Sequence, residues 1–399
     1  MTEYYKTLKL LDPKLDSKLS ETIFNVEKLW LRWDSVLFAK LKKTTIPETV
    51  FRALQSLFKT VESVASARIE WNHTTISQYV ANRSNWIKRE WDEWNKEIEN
   101  ISNAIDYIHE AFEREENPRS FQINRLFLSE LHYILMDWLS VWTGKEWADT
   151  PWSFRHTNVE ITQSKHTPPD YTQVNAYMDE LLEFINKDDN PLFDLMKIAL
   201  AHHRFVWIHP FENWNGRMVR CLTYTLLIKY WFDKDRVSLL NPSSLFCLDR
   251  KKYYQYLEEA DRWEEDKLSQ WCEYAITWIY QEILHIEKFL DSNFVSSILK
   301  NAVSQLHTEW IIDSDEEKIL LYLYEHWTLA SKDVADIVKL NDSNRSRKIK
   351  WSKRRNSKRQ FINIFGKKHI RESTWMRWNL SGSWPESSYL SAWLEYLKS

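Results

Sequence analysis

Glycine is nearly missing from this sequence of 399 residues. It occurs 4 times, where average usage would supply about 28. The deficit removes the usual residue for left-handed turns, helix C-caps and close backbone approach. Cysteine is scarce as well. Cys221, Cys247 and Cys272 are too few and too scattered for a disulfide framework or a zinc knuckle. A reducing cytoplasm is the compartment expected from that usage. No run reaches the roughly 18 apolar residues of a membrane span. The opening MTEYYKTLKLLDPKLDSKL interrupts its apolar positions with polar ones, so neither a signal peptide nor a membrane partner is expected. Neither sign of charge dominates: 54 basic side chains face 57 acidic ones. That balance excludes a chain that is basic throughout. With 43% hydrophobic and 28% charged residues, wholesale disorder is excluded too.

Tryptophan is what the sequence has in excess, with 23 copies. They make up almost the whole glycine shortfall. The expectation is that many of these tryptophans stand where glycine belongs. A source genome that reads the opal codon as glycine, translated by a table that reads it as tryptophan, would produce this pattern.

The length suggests two or three domains, at roughly 100–200 residues each. The chain reads as mostly α. From Ile46-Pro47 onward, Val50, Leu54, Leu57, Val61 and Val64 recur every three or four residues, which predicts a helix over 46–70. Pro191 opens a second over 191–208, with Leu192, Leu195, Ala199 and Val206 on one side. Val219, Leu222, Leu226 and Tyr230 mark a third over 217–232. The stretch 149–170 breaks this pattern. Its prolines bracket Phe154-Arg155 and Val159-Glu160-Ile161, whose alternation predicts a short strand pair. A long amphipathic helix ends around Phe289, and a boundary follows near 290–310. Two short helices are expected at Glu316–Glu325 and Ser331–Leu340, the second capped by Ser331 and suited to open a helix-turn-helix unit. Residues 345–359 hold nine basic side chains and no acidic one. Such a run serves either phosphate backbones or plain solvation.

The chemistry concentrates in Ile208-His209-Pro210-Phe211-Glu212-Asn213-Trp214-Asn215-Gly216-Arg217-Met218-Val219-Arg220. A histidine ends one helical pattern, a short polar turn follows, and a new helix opens near Gly216. Helix N-termini present unpaired N–H groups and a positive dipole end, so the turn is suited to an anion. Arg217 and Arg220, three apart, can share one side of the first turn. A histidine beside such a cradle can serve as general base towards a hydroxyl. Phosphoryl or nucleotidyl transfer is the chemistry these residue types suit. They would equally suit a capped helix with exposed arginines and a core histidine. His202, His203 and His209 lack the spacing and the carboxylate partner of a metal cluster.

The stretch resembles the signature loop of Fic-domain proteins, His-Pro-Phe-x-(Asp/Glu)-Gly-Asn-(Gly/Lys)-Arg-x-x-Arg. His209, Pro210, Phe211, Asn215, Gly216, Arg217 and Arg220 fall into place. Ala201–Ile208 resembles the helix that leads into the family motif. Pro151–Arg155 with Val159 and Ile161 resembles its flap, and Tyr253-Tyr254 with Leu257 a downstream pattern. The resemblance covers roughly 120–285. Upstream, Ser66-Ala67-Arg68-Ile69-Glu70-Trp71-Asn72 resembles the family's inhibitory motif, Ser/Thr-x-x-x-Glu-Gly/Asn. Trp71, Trp152 and Trp214 each occupy a position where the family pattern has glycine, and Asn213 stands where it has Asp or Glu.

The resemblance implies a Fic-type helical core with a small β-hairpin flap and a C-terminal winged-helix-like module. Its implied domains are an N-terminal helical region over 1–115, a Fic domain over 116–290 and the basic module over 300–399. The implied activity is AMP transfer from ATP to a Ser, Thr or Tyr hydroxyl of a target protein. His209 would be the base. Trp214, Asn215, Gly216, Arg217 and Arg220 would hold the phosphates, and Phe246 the adenine. Asn213 would help hold Mg²⁺, weakly, because an amide oxygen carries no charge. Glu70 would inhibit by pairing with Arg220. The alternative is a DNA-binding regulator that works through 345–359 and carries an inactive core.

Overall fold

A computed structural model describes residues 7–32, 48–76, 78–80, 93–137, 152–161, 164–230, 238–289, 300, 304, 307–308, 313–326 and 337. Among these residues the fold is helical. The elements that frame the site are α1 (Lys18–Arg32), α2 (Glu48–Ile69), α3 (Glu93–Glu113), α4 (Arg125–Met136), α5 (Tyr171–Asn186), α6 (Asp194–Ile208), α7 (Asn215–Tyr230), α8 (Pro242–Leu248), α9 (Arg250–Ala260) and α10 (Glu265–Phe289). The helices expected over 46–70, 191–208 and 217–232 are α2, α6 and α7. A further helix, α11 (Ser314–His326), covers the first of the two short helices expected near the C-terminus. The second, apart from residue 337, and the basic run at 345–359 lie outside the described residues. No described helix is long and apolar enough to cross a membrane.

Local chemistry sets the helix ends. Asn124 caps α4 by accepting from Phe127 N at 2.9 Å. Asp170, after two prolines, caps α5 by accepting from Thr172 N at 3.0 Å. Side-chain caps of this kind are worth about 1 kcal/mol each. A 3₁₀ turn at Pro191–Phe193 leads into α6.

The chain divides into two compact units. One contains Met1–Ser35, Phe58–Thr74 and Glu90–Ile286, and its core helix is α7. Every residue of α7 except Gly216 is buried, and α7 packs against α3, α4, α6 and α8. A helix enclosed on all sides has little amphipathic character, as its sequence shows. Its charged ends are satisfied internally. Lys229 Nζ donates to the carbonyls of Arg119 (2.7 Å) and Phe121 (2.6 Å). On α2, the buried carboxylate of Glu62 accepts from Ser243 N (2.8 Å) and Oγ (2.5 Å) at the start of α8. The second unit contains Val36–Leu57, Thr75–Arg89 and Glu287–Ser399. In it, α11 places Glu317 against Ser304 Oγ (3.1 Å) and His307 Nδ1 (3.1 Å).

The hairpin expected within 149–170 does not form among the described residues, which contain no strand. The alternation of Phe154, Val159 and Ile161 resembles a strand, but no ladder of backbone bonds forms among the described residues of the segment. Arg155 N donates to Pro210 O at 2.8 Å, and its guanidinium is spent on the carbonyls of Thr157, Pro169 and His209. Arg155 therefore pins the segment to the C-terminal end of α6.

Four non-glycine residues have positive φ among those described: Trp71 (71°), His209 (52°), Trp214 (66°) and Trp263 (54°). Three are tryptophans. At the end of α2, Asn72 N bonds Ala67 O (3.3 Å) and Trp71 N bonds Arg68 O (3.2 Å). That pair of bonds is a Schellman motif, and residue 71 is its left-handed position, where glycine is the usual occupant. Trp263 plays the same part after α9, donating to Ala260 O at 3.0 Å. Trp152 is not among the positive-φ residues, so the backbone does not demand glycine there. A left-handed L-residue costs roughly 1–2 kcal/mol.

Replacing Trp71 by glycine should therefore raise stability by about 1 kcal/mol, read as an upward shift in thermal midpoint. Peptide masses of the protein isolated from its own organism should place glycine at 71, 214 and 263. Tryptophan at all three would end the codon argument.

Candidate active site

α6 ends at His209, whose N–H bonds Phe205 O at 3.0 Å. The left-handed backbone at His209 turns the chain out of the helix, and α7 begins six residues later. The turn between them is braced from within. Asn215 Nδ2 donates to Phe211 O (2.8 Å), and Asn215 Oδ1 accepts from Phe211 N (2.9 Å). It is also braced from outside. His132, on α4, stacks on the Phe211 ring at 3.9 Å, and its Nε2 lies 3.1 Å from Asn213 O. Arg155 Nε reaches His209 O at 2.9 Å. These contacts fix a loop that ends on the first turn of α7, a helix N-terminus whose positive dipole end suits an anion.

Several expected residues meet at that turn. Arg220 is 2% exposed and fully engaged by the end of α2. Its Nε donates to Ser66 Oγ (2.8 Å), its Nη2 to Ser66 O (2.9 Å) and its Nη1 to Glu70 Oε1 (3.0 Å). Ser66 and Glu70 lie four apart and so share a face of α2. Gly216 is the contact point: a Cβ built on it would fall 2.2 Å from Glu70 Oε1. The Glu70 carboxylate thus rests on the first turn of α7, and only glycine leaves room for it. Burial would raise the Glu70 carboxyl, but Arg220 and Arg217 outweigh that and hold it below the usual carboxylate range.

Other expected residues serve differently. Asn215 was expected to hold phosphate. Its side chain is instead spent on Phe211, which leaves only its backbone at the helix start to meet an anion. Phe246 was expected to face adenine. It is 2% exposed and packs on Trp278 (5.1 Å), Tyr253 (4.5 Å) and His202 (5.8 Å), so it is a core residue. Trp214 is buried, its indole Nε1 has no hydrogen-bond partner, and its ring lies 3.9 Å under the Arg217 guanidinium. His202 bonds Thr223 and Tyr253, and His203 bonds Asp261, which agrees with packing rather than metal binding.

The donor set does not build a metal site from protein alone. No group of three or more His, Cys, Asp or Glu side chains could hold a metal among the described residues. Asn213 offers a neutral amide at most, and Glu212 lies beside His156 at 3.8 Å. The motif alone gave no sign of two site residues. His132 and Glu97 sit on α4 and α3, far from the loop in sequence, and only contact reveals them. Glu97 Oε1 accepts from Arg217 Nε at 2.6 Å, with both side chains buried.

Burial pushes the His209 imidazole down to about 4. It is therefore neutral at pH 7 and able to accept a proton. An imidazole NMR titration should show His209 protonating near pH 4 rather than near 6.5. The folded value lies below the unfolded one, so the unfolded chain binds the proton more readily. Stability from this group should fall as pH drops below 6.5 and level off near 4.

Residues 122–227 match the model of the Fic/DOC family. A protein adenylyltransferase Fic of Nematostella vectensis is 33% identical over 111 residues, covering 27% of this chain and 23% of that protein. One of Drosophila grimshawi is 28% identical over 200 residues, covering 49% and 37%. The matches thus span about a quarter to a third of these relatives' own length. Among solved structures, a Fic family protein from Desulfovibrio desulfuricans covers 90% of this chain and 93% of its own, at TM-score 0.55 and 19% identity. A Fic domain containing signaling protein from Bacteroides thetaiotaomicron covers 67% and 97%, at TM-score 0.51 and 16% identity. These two show a shared fold.

Proposed function

This chain is a Fic-domain protein, and from that premise we propose that it moves AMP from ATP to a hydroxyl side chain of a target protein, with Glu70 holding it off. The observation that carries the reading is the Glu70 carboxylate on Gly216: the first turn of α7 already holds an anion, gripped by Arg220. A nucleotide's phosphates would take the same place. The curated relatives named protein adenylyltransferases supply the reaction class.

In this reading the neutral imidazole of His209 takes the proton of the target hydroxyl. The hydroxyl oxygen attacks the α-phosphorus in line, the bond to the β-phosphate bridging oxygen breaks, and pyrophosphate leaves. Backbone N–H groups of Asn215, Gly216 and Arg217 meet the α- and β-phosphates. Arg217 offsets the charge on the leaving group. Arg220, released by Glu70, grips the γ-phosphate. Magnesium would arrive with the nucleotide, and Asn213 would help hold it through a neutral amide oxygen. The segment at 149–170 would dock the target by strand addition.

The reading divides the chain into an inhibitory helical region (1–115), a Fic domain (116–290) and a basic module (300–399). The rival reading, a DNA-binding regulator with an inactive core, draws on Asn213 and Trp214, where the loop departs from the family pattern; the intact His209, Asn215, Arg217 and Arg220 and the Ser66–Glu70 clasp on Arg220 favour the transferase.

Incorporation of labelled AMP decides the matter. Glu70→Gly should raise auto-modification and target modification at least several-fold. Glu70→Gly combined with His209→Ala should be silent, since loss of a positioned base costs about 10²–10⁴-fold. Equal incorporation by wild type and Glu70→Gly would reject inhibition through this residue. Undiminished transfer by the double variant would reject the base. Separately, Asn213→Asp should lower the magnesium concentration needed for half-maximal transfer, because a carboxylate binds the cation more tightly than an amide.

A further inference from the structure

Glu97 is a buried carboxylate for which the proposed chemistry has no role. It lies in the first turns of α3 and is 6% exposed. Its two oxygens face different elements. Oε1 accepts from Arg217 Nε at 2.6 Å, 120 residues away. Oε2 accepts from Asn72 Nδ2 at 2.9 Å. Asn72 is 1% exposed and closes the Schellman turn that ends α2, two residues after Glu70. Its Nδ2 also bonds Trp94 O (2.9 Å), and its Oδ1 accepts from Thr74 N (2.9 Å), so the amide is held firmly.

From this we infer that Glu97 is a positioning residue: it orients Arg217 towards the phosphates of a bound nucleotide and registers the Glu70-bearing end of α2 against the same arginine. The inference rests on the nucleotide reading of the α7 turn. Three physical points support it. A buried carboxylate is tolerated only when paired, and Arg217 is the cation at its side. The bond is made by Nε, at the stem of the guanidinium. It fixes the plane of the group without itself drawing on the two terminal nitrogens, which are the natural phosphate donors. Finally, the Trp214 ring lies 3.9 Å from the Arg217 guanidinium. With glycine at 214 that stack is gone, and the Glu97 bond remains to orient the arginine.

A site residue that merely maintained the fold would weaken every ligand alike. A residue that aims an arginine at phosphates would weaken only ligands that carry phosphates. The test therefore uses the full chain with Glu70→Gly, which opens the site, and measures the Kd of magnesium ATP and of adenosine by calorimetry. Adding Glu97→Gln should raise the Kd for ATP by about tenfold or more, the worth of one charge-assisted bond. The Kd for adenosine should stay within about twofold of its starting value, well inside the effect of losing one such bond. Glu97→Asp, which keeps the charge but withdraws the oxygens, should give an intermediate loss for ATP alone. Thermal unfolding of each variant checks that it folds. If Glu97→Gln does not fold, the aspartate variant decides by the same ratio.

Parallel weakening of ATP and adenosine would overturn the inference and leave Glu97 a scaffold residue. Tighter ATP binding would overturn it in the other direction, making Glu97 a competitor for Arg217. Failure of ATP to bind the Glu70→Gly protein would remove this inference together with the nucleotide reading. Selective loss of ATP affinity without any AMP transfer would uphold Glu97 while rejecting the transferase reaction.

Discussion

The contact on which the site depends is the clasp of Arg220 by Ser66 and Glu70. A guanidinium that is 2% exposed must be paired, because an uncompensated buried charge costs about 3–5 kcal/mol. Here the pairing comes from a helix 150 residues earlier in the chain. The clasp therefore does two things at once. It satisfies a charge in the wall of the core helix α7, and it brings the end of α2 down onto the open first turn of that helix. The absence of a side chain at Gly216 is what allows the approach. Stability and occupancy of the site are thus the same interaction. Whatever displaces Glu70 must supply its own anion to Arg220.

Around that contact the loop from His209 to Asn215 is held by two neutral groups and one cation. His132 is pushed by burial to about 4, so it stacks on Phe211 uncharged. Asn215 locks the loop through both functions of its amide. Arg155 supplies positive charge to the carbonyl end of α6, where the helix dipole favours it. The result is a turn with its carbonyls occupied by donors and its end at the N-terminus of α7, a polarity suited to anions. Glu97 extends the same logic to Arg217. Two carboxylates and two arginines sit together, each arginine held by a carboxylate from a different helix.

The tryptophans bear on every part of this. At 71 and 263 the chain adopts helix-ending geometry that glycine takes without strain, and the hydrogen bonds of those turns are present regardless. At 214 an indole occupies a positive-φ position inside the anion loop, with its N–H unpaired and its ring against Arg217. A large side chain that leaves its polar atom unsatisfied in a strained backbone is poorly fitted to its place. Composition, turn geometry and loop chemistry agree on glycine at these positions.

Helix positions were legible in the sequence because apolar spacing and capping are local. The stripes from Val50 to Val64 and from Val219 to Tyr230, and the proline at 191, place α2, α6 and α7 without reference to anything distant. The loop motif was legible for the same reason: histidine, glycine and two arginines lie within a dozen residues. The pairing of Glu70 with Arg220 came from family resemblance, and the geometry agrees with it. The destinations of individual side chains were not legible. Asn215 turns inward to Phe211, and Phe246 disappears among Trp278, Tyr253 and His202 instead of facing a ligand. The stretch at 149–170 carries a strand-like alternation, yet the backbone N–H of Arg155 goes to Pro210 O and its guanidinium gathers the carbonyls of Thr157, Pro169 and His209. Glu97 and His132 carry no local signal at all. A hydrogen bond is decided by which groups lie within about 3 Å, and for these residues the partners come from helices that only folding brings alongside.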